Sequence, residues 1–277
     1  MTSPVTIIIP AHNEADYIVD CLTALLAQDH DAGVMRVIVA ANACTDMTVA
    51  LCQTHVDAFE ARDSILTVLD IPEPGKVNAL NVAETRLEPG ARLYLDADVC
   101  CDRDVVGQLR RALSQQTPCY ATGTLAVAPT RNLITRAYAK LWQELPFIKS
   151  GAVGAGLFAL NAAGRSRWGA FPDIISDDTF VRLNFAPSER IEVPARYHWP
   201  MIDGFSNLVK VRRRQNAGVD EVRANYPQLM ANDDAPSLGL KGMVALALRM
   251  PIAFAVYLSV HIAVRTRRPR KEWVRGR

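Results

Sequence analysis

Two patterns of apolar and polar residues, one typical of strands and one typical of helices, take turns over the first hundred positions of the chain. Predominantly apolar runs that predict strands occupy residues 5–10, 34–42, 64–71 and 92–98, and the first of them is continuous, as expected for a strand that is buried on both faces. Apolar residues at helical spacing occupy the segments between them, at residues 14–28, 44–59 and 75–87. Because strand and helix alternate, the pattern predicts right-handed βαβ units and a mostly parallel sheet.

Polar residues stand directly after three of these predicted strands. They occupy residues 10–14, 42–46 and 96–98. Ligands of open parallel sheets bind in the crevice outside the carboxyl ends of the strands, so we expect the three segments to converge on one site. No G-x-G-x-x-G sequence follows the first strand, which argues against a dinucleotide cofactor.

The alternation of strands and helices is lost after about residue 125. A glycine-rich turn leads into an apolar strand within residues 151–160. Two adjacent acids, Asp177 and Asp178, precede an amphipathic helix within residues 172–185. Three consecutive arginines follow at residues 212–214. This second part of the chain therefore adds charged side chains without continuing the βαβ pattern.

Composition and charge indicate which classes of protein the chain could belong to. The chain has 277 residues, of which 49% are hydrophobic, enough for a substantial core. Residues 265–277 carry a net charge of +6, and since the whole chain carries +2, the remainder carries −4. An acidic body with a basic tail is not typical of a nucleic-acid-binding fold, which clusters its basic residues on one face. We therefore expect no nucleic-acid partner.

Cysteine usage and the N-terminal residues indicate a compartment. Six cysteines occur, none of them in a C-x-x-C pair, so the sequence indicates neither a zinc site nor a disulfide framework. The first residues have no charged n-region and no cleavage site, and we expect no signal peptide. Reduced thiols in a cytoplasmic protein are the simplest interpretation.

The acids and the arginines each allow two interpretations. Asp96 and Asp98 are either the solvated end of a strand or ligands for Mg²⁺ or Mn²⁺, which prefer oxygen donors. Asp177 and Asp178 are either helix caps or a general base that takes a proton from a hydroxyl group. The arginines at 212–214 are either a solvated face or a clamp for a diphosphate.

Taken together, these segments resemble the family 2 glycosyltransferases of the GT-A fold. The opening "VTIIIPAHNEADYIVDCLTALLAQ" is similar to the family's first strand, P-x-x-N-E loop and first helix. The resemblance continues through four further blocks in the family's order: "VIVAANACTDMT", "PGKVNALNVA", "LYLDAD" and "GAGLFALNAAGRSRWGAFPDIISDDTFVRL". It covers roughly residues 5–218. Five blocks in order are far more specific than any one of them.

The resemblance implies a GT-A type, Rossmann-like α/β sandwich and a division of the chain. Residues 1–232 would form the catalytic domain, with a nucleotide half over about 1–100 and an acceptor half over about 101–232. Beyond the resemblance, the apolar and basic composition of residues 233–277 indicates a C-terminal membrane-associating helix and a basic tail.

The resemblance also implies roles for individual residues. Asp98 would bind Mn²⁺ or Mg²⁺, and Asp96 would face the metal or the ribose. Asp178, beside Asp177, would be the base for the acceptor hydroxyl. The nucleotide-sugar site would comprise Pro10, Ala11, Asn13, Glu14, Asn42, Asp46, Lys76, Asp96, Arg212 and Arg214.

The implied reaction is a single displacement that inverts the anomeric centre, with a UDP- or GDP-sugar as donor and a hydroxyl acceptor. The family often has an acid just before Asn42 that reads uracil, but here the residue is Ala41, so the nucleotide stays open. Val211 and Gln215 replace the Gln and Trp of the Q-x-x-R-W motif that marks processive synthases, which indicates a single-addition hexosyltransferase. The acceptor could be a lipid-linked or an exopolysaccharide precursor. The alternatives are a nucleotidyltransferase that makes the sugar nucleotide and a non-catalytic membrane-bound partner.

The C-terminal segment 242–264 is strongly apolar but contains Arg249, Pro251 and His261. Its longest uncharged stretch would be about 22 Å long as a helix, against roughly 30 Å for a bilayer core. A full span would also place the basic tail on the far side from the catalytic body, against the positive-inside tendency. One interpretation is a helix packed on the domain. We expect instead peripheral or monotopic attachment to the cytoplasmic face of the inner or plasma membrane, with the tail on anionic lipid.

Overall fold

The computed structural model describes residues 4–149, 152–234 and 236–266. The chain forms two compact units. The first comprises Met1–Ala126, Gly154–Asp173 and Asn184–Trp199, and the second comprises Val127–Val153, Ile174–Leu183 and Pro200–Arg277. The predicted functional division at residues 100 and 232 stays a prediction.

The first unit is built on an eight-stranded sheet with the order β3-β2-β1-β4-β7-β6-β8-β5. Its strands are β1 (Val5–Ala11), β2 (Met35–Asn42), β3 (Ile65–Ile71), β4 (Arg92–Leu95), β5 (Cys100–Cys101), β6 (Tyr120–Val127), β7 (Leu157–Leu160) and β8 (Arg190–Trp199). The α-helices of this unit are α1 (Ile18–Leu26), α2 (Thr48–Gln53), α3 (Val56–Glu60), α4 (Lys76–Glu84), α5 (Val105–Ala112) and α8 (Ala162–Arg165).

The second unit is helical in the residues that the structure describes. Its helices are α6 (Leu133–Trp142), α7 (Pro146–Lys149), α9 (Asp177–Leu183), α10 (Phe205–Asn225), α11 (Gly239–Arg249) and α12 (Pro251–Arg265). Tyr138 of α6 stacks on Tyr257 of α12, with ring centroids 5.3 Å apart. Phe180 of α9 packs edge-on against Tyr226, which directly follows α10.

The predicted α/β fold is confirmed, and its core follows from the apolar runs. Strands β1 to β4 pair in parallel, and Ile7, Ile8 and Ile9 of β1 are completely buried. Helices cover both faces of such a sheet, which is why β1 is buried on both faces, whereas the edge strand β3 keeps exposed positions. Strand β7 then runs antiparallel to β4, a direction that the pattern did not indicate.

Three predicted elements differ from the structure. Strand β4 ends at Leu95 rather than residue 98, because its partner strand β7 begins opposite Leu95 and the chain then turns. The helix predicted for residues 44–59 is the two short helices α2 and α3. The strand predicted within residues 151–160 is limited to Leu157–Leu160, and residue 151 lies outside the described part of the chain.

The C-terminal apolar segment is two helices rather than one. Met250 leaves the helical conformation, with φ −139° and ψ 63°, and Pro251 starts the next helix. Proline has no backbone N–H and clashes with the preceding turn, so it is favoured at the first position of a helix and breaks an interior. Among the described residues, no helix combines the length and the apolar character that crossing a membrane requires. The basic tail beyond Thr266 lies outside the described residues.

Candidate functional site

The loops that follow β1 and β2 are joined by the side chain of Asn13. Its carboxamide oxygen accepts hydrogen bonds from the backbone N–H groups of Thr45, at 2.6 Å, and Asp46, at 3.3 Å. Asn13 adopts a left-handed φ of 54°, a conformation that asparagine tolerates better than most residues. The predicted convergence of these two loops is therefore present, and Asn13 holds it.

Asp46 strengthens the same junction from the other side. Its carboxylate accepts hydrogen bonds from the hydroxyl and amide groups of Thr48, at 2.6 and 3.0 Å, and from the amide of Ala15, at 3.2 Å. Partial burial acts to raise the pKa of Asp46, but the hydrogen bonds from Thr48 and Ala15 outweigh it and lower the pKa. Thr48 in turn accepts a hydrogen bond from the backbone amide of Glu14, at 2.7 Å.

Asn42, at the end of β2, links three segments through buried hydrogen bonds. Its side-chain amide donates to the carbonyl of Ala11, at 2.8 Å, and its carboxamide oxygen accepts from the amide of Gly75, at 3.0 Å. Its own carbonyl lies 2.6 Å from Nδ1 of His12. Asn42 is almost fully buried, so its side chain positions the surrounding loops in this structure.

Lys76 and Asp96 form an ion pair beside these loops. Lys76 is the first residue of α4, which places its amine at the carboxyl edge of the sheet. Its Nζ lies 3.0 Å from Oδ1 of Asp96, in the turn after β4. The amide of Asp96 donates to the carbonyl of Gly156, at 2.9 Å, and fixes the start of that turn. The D-x-D segment is thus tied to the two neighbouring loops.

Gly156 allows the D-x-D turn to approach the start of β7 closely. It adopts φ 76°, and a Cβ at this position would lie 2.7 Å from Cδ1 of Trp199 and 2.8 Å from Cγ2 of Val99. Any larger residue would therefore both strain the backbone and displace the turn that contains Asp98. The pattern did not single out Gly156, although its G-x-G context marks a loop.

The donor set of the turn fits a divalent cation. No group of three or more His, Cys, Asp or Glu side chains suited to a metal occurs in the described residues. Asp96 and Asp98, however, are both half-buried and one residue apart. Mg²⁺ and similar ions are commonly held by one or two carboxylates together with substrate phosphates and water. Asp96 and Asp98 are the two carboxylate ligands that the protein would supply to such a site.

The second unit contains Asp177 and Asp178 at the start of α9. Asp177 is buried, whereas Asp178 is half-buried and accepts a hydrogen bond from the amide of Thr179, at 2.7 Å. The two acids thus differ in access to solvent, and Asp178 is the one that a substrate could reach. A general base must be accessible to the proton that it takes.

Helix α10 holds the segment that leads to these acids. The carboxylate of Glu221 accepts a hydrogen bond from the amide of Ile175, at 2.9 Å. A Cβ at Gly218, one turn earlier, would lie 2.3 Å from Oγ of Ser176. Gly218 therefore permits the segment around Ser176 to approach α10 closely, and the hydrogen bond from Ile175 to Glu221 holds the segment there. Neither residue was predicted, because the acids and their support are about 40 residues apart in sequence and only folding brings them together.

The arginines at 212–214 have different surroundings on α10. Arg213 donates to the terminal carbonyls of α12, Ala263 and Val264, and so has a structural role. Arg212 donates to the side chain of Gln215, at 3.0 Å. Arg212 and Arg214 are both half-buried, and their predicted contact with a diphosphate stays a prediction.

The mostly parallel sheet, with polar loops at its carboxyl edge, defines an α/β fold of the GT-A type. The family description "Glycosyl transferase family 2" matches residues 6–164, more than half of the chain. The chain belongs to this family and is a glycosyltransferase.

Solved structures of other proteins show the same fold. The mannosyltransferase PcManGT from Pyrobaculum calidifontis, in complex with GDP-Man and Mn²⁺, matches 94% of this chain and 75% of its own, at 21% identity and a TM-score of 0.64. TarS residues 1–349 from S. aureus, in complex with UDP-GlcNAc, matches 95% of this chain and 92% of its own, at 14% identity and a TM-score of 0.53. The search of curated proteins found no match.

Proposed function

We propose that this glycosyltransferase moves a sugar from a nucleotide-sugar donor to a hydroxyl acceptor in one inverting, metal-dependent displacement. The observation that carries the proposal is the ion pair between Lys76 and Asp96, which connects the Asp96–Asp98 turn to the loops at the carboxyl edge of the sheet. That edge is where parallel sheets bind ligands. The GDP-Man and Mn²⁺ of PcManGT, and the UDP-GlcNAc of TarS, support a nucleotide-sugar donor.

The donor side uses the loops around Asn13 and Asn42. The backbone of Pro10, Ala11 and Glu14, held by the hydrogen bonds of Asn13 and Asn42, would line the nucleotide pocket. Asp46 and Lys76 would lie along the base and ribose. Asp98, with Asp96 beside it, would hold Mn²⁺ or Mg²⁺, which supplies electrostatic neutralisation of the departing diphosphate. Arg212 and Arg214 would add positive charge for the same diphosphate.

The acceptor side uses Asp178. Its carboxylate takes the proton of the acceptor hydroxyl, whose oxygen then attacks the anomeric carbon from the face opposite the nucleotide. One bond forms as the bond to the diphosphate breaks, so the configuration inverts. Such a displacement requires no enzyme nucleophile, unlike retaining hydrolysis, which uses a second carboxylate. The buried Asp177 would support the orientation of its neighbour.

The donor nucleotide and the acceptor class are the finer parts of the proposal. Ala41 removes the acid that often reads uracil in the family, which favours testing GDP-sugars alongside UDP-sugars. Val211 and Gln215 stand where processive synthases have Gln and Trp, which supports transfer of one sugar per acceptor. A lipid-linked acceptor or a polysaccharide precursor would fit an enzyme that works at a membrane.

The test is a panel of nucleotide sugars, measured for Mn²⁺-dependent binding and for donor hydrolysis. Asp98→Asn should abolish hydrolysis and the dependence of donor binding on Mn²⁺. Asp178→Asn should abolish transfer to an acceptor while the Kd for donor stays close to that of the wild type. Asp57→Asn, at an exposed acid on α3, is the matched control and should change neither.

Three results would contradict the proposal. Metal-dependent turnover in Asp98→Asn would remove Asp98 from the metal site. Turnover in Asp178→Asn would remove it as the base. Release of pyrophosphate from a nucleoside triphosphate would instead identify a nucleotidyltransferase.

A further inference from the structure

Helices α11 and α12 present an apolar face to solvent. Fifteen large apolar side chains are exposed in the described part of the chain, and seven of them lie on these two helices. Three are about four-fifths exposed: Leu240 at 78%, Leu248 at 80% and Ile252 at 77%. The others are Met243, Val244, Leu258 and Ile262. Soluble surfaces carry single exposed apolar residues, but a concentration of this kind marks an interaction site.

The spacing of these residues gives the face its continuity. Leu240, Val244 and Leu248 are four residues apart along α11 and therefore form one row on the helix surface. On α12, Ile252, Leu258 and Ile262 continue the exposed side, while Ala253 and Val260 are buried. We name the seven exposed side chains the apolar face.

The opposite side of α12 is anchored within the second unit. Tyr257 stacks on Tyr138 of α6, and Arg213 of α10 donates hydrogen bonds to the last carbonyls of α12. Leu246 of α11 and Met250 between the helices are buried. These contacts anchor the side of α12 that lies opposite its exposed apolar residues.

The charges around the apolar face identify its partner. Residues 236–266 contain no Asp or Glu, and Lys241 and Arg265 are basic, while Arg249 donates a hydrogen bond to Glu144, at 2.7 Å. The sequence beyond Thr266 adds further arginines and a lysine, although it lies outside the described residues. Apolar side chains among cations complement an anionic lipid surface. A second copy of this chain would bring like charges together at the same face.

The length of the helices decides how they would meet such a surface. Helix α12 has 15 residues, about 22 Å at 1.5 Å per residue, and the break at Met250 separates it from α11. A bilayer core is about 30 Å thick. We propose that α11 and α12 lie in the membrane interface, with the apolar face toward the acyl chains and the basic residues at anionic headgroups. The proposal does not depend on the identity of the donor or acceptor.

The test is sedimentation of the full chain with vesicles of phosphatidylcholine alone and of phosphatidylcholine with an equal amount of phosphatidylglycerol. We expect binding to the mixed vesicles that weakens as salt is raised, and little binding to the neutral ones. The double variant Leu248→Ser/Ile252→Ser should weaken binding by about tenfold or more, since it removes two of the most exposed apolar contacts without adding charge. Ile65→Ser, at an exposed apolar residue of β3, is the matched control.

Each alternative has its own outcome. Unchanged binding by the double variant would assign attachment to the basic tail and overturn the proposal. Equal binding to neutral and mixed vesicles would overturn the anionic preference. If the wild type forms a dimer that the double variant disperses, and neither binds vesicles, a second copy covers the apolar face instead. Far-UV circular dichroism and the Tm of each variant confirm that the comparison is made between folded proteins.

Discussion

Nζ of Lys76 lies 3.0 Å from Oδ1 of Asp96, although most of α4 and all of β4 lie between the two residues in the chain. Lys76 begins α4, and Asp96 begins the turn after β4. Both side chains are about one-third exposed, at 36% and 35%. Exposed ion pairs contribute only about 0.2–1 kcal/mol to stability, so the effect of this pair is mainly on position. It holds the first acid of the D-x-D segment beside the nucleotide loops.

Lys76→Gln should therefore weaken donor binding more than it weakens the fold. We expect the Kd for the nucleotide sugar with Mn²⁺ to rise by about tenfold, because both the position of Asp96 and a charge-assisted contact along the ribose side of the nucleotide are lost. The free energy of unfolding should fall by less than about 1 kcal/mol. Isothermal titration calorimetry and urea denaturation measure the two effects. Lys149→Gln, which breaks a comparable pair with Glu144, should leave the Kd unchanged.

Asn42→Ala should mainly lower the free energy of unfolding. The substitution removes a buried hydrogen bond to the carbonyl of Ala11 and a partly buried one from the amide of Gly75. A buried polar group that loses its partner costs about 1–3 kcal/mol, so we expect a loss of about 2–4 kcal/mol in the free energy of unfolding. Asn78→Ala, which breaks a single bond to the carbonyl of Glu73, is the control for urea denaturation. A cost for Asn42→Ala no larger than that of the control would show that Asn42 does not support the loops.

The strands and the location of the site followed from the sequence for physical reasons. The runs that became β1, β2 and β4 are mainly buried because both faces of a parallel sheet are covered, and the acids after β4 had to lie at its carboxyl edge. The direction of β7 and the support of Asp178 by Glu221 could not be predicted in this way. Both depend on contacts between segments far apart in the chain, for which local periodicity contains no signal. The break at Met250 was not predicted, although Pro251 is the local signal for it.

The contact between α10 and the segment before Asp178 should control catalysis rather than donor binding. In Gly218→Ala the new Cβ would meet Oγ of Ser176 at 2.3 Å, which forces the segment away from the helix. We expect kcat for transfer to fall by about tenfold or more, since misplacement of about 1 Å at a reacting group costs this much. The Kd for donor should stay near that of the wild type.

Two variants separate positioning from general destabilisation. Gly169→Ala introduces the same methyl group where nothing lies within 4 Å, and it should leave kcat unchanged. Glu221→Gln keeps an acceptor for the amide of Ile175 and should retain most of kcat, whereas Glu221→Ala should not. Equal losses in Glu221→Gln and Glu221→Ala would mean that the hydrogen bond to Ile175 does not position the base.

Cys44 offers a chemical probe of the nucleotide side. All six cysteines are free and lie within the described residues, and only Cys44 and Cys100 are half-buried. Sγ of Cys44 accepts a hydrogen bond from the amide of Asn13, at 3.3 Å, in the junction of the two loops. Burial raises the pKa of both half-buried thiols, and the thiolate is the reactive form. Alkylation by iodoacetamide should therefore be slow at pH 7 and quicken about tenfold per pH unit toward the raised pKa.

A bound donor should distinguish Cys44 from a buried thiol. If the loops around Asn13 line the nucleotide pocket, a nucleotide sugar with Mn²⁺ should slow alkylation of Cys44 more than that of Cys119, which is free but buried and reacts only when the protein opens. Mass spectrometry of modified peptides measures both residues in one sample, so Cys119 is an internal control for changes in global opening. Equal protection of both cysteines would indicate overall stabilisation by the ligand. Protection of neither, at a donor concentration that calorimetry shows to be saturating, would place the nucleotide elsewhere than at the junction of the β1 and β2 loops.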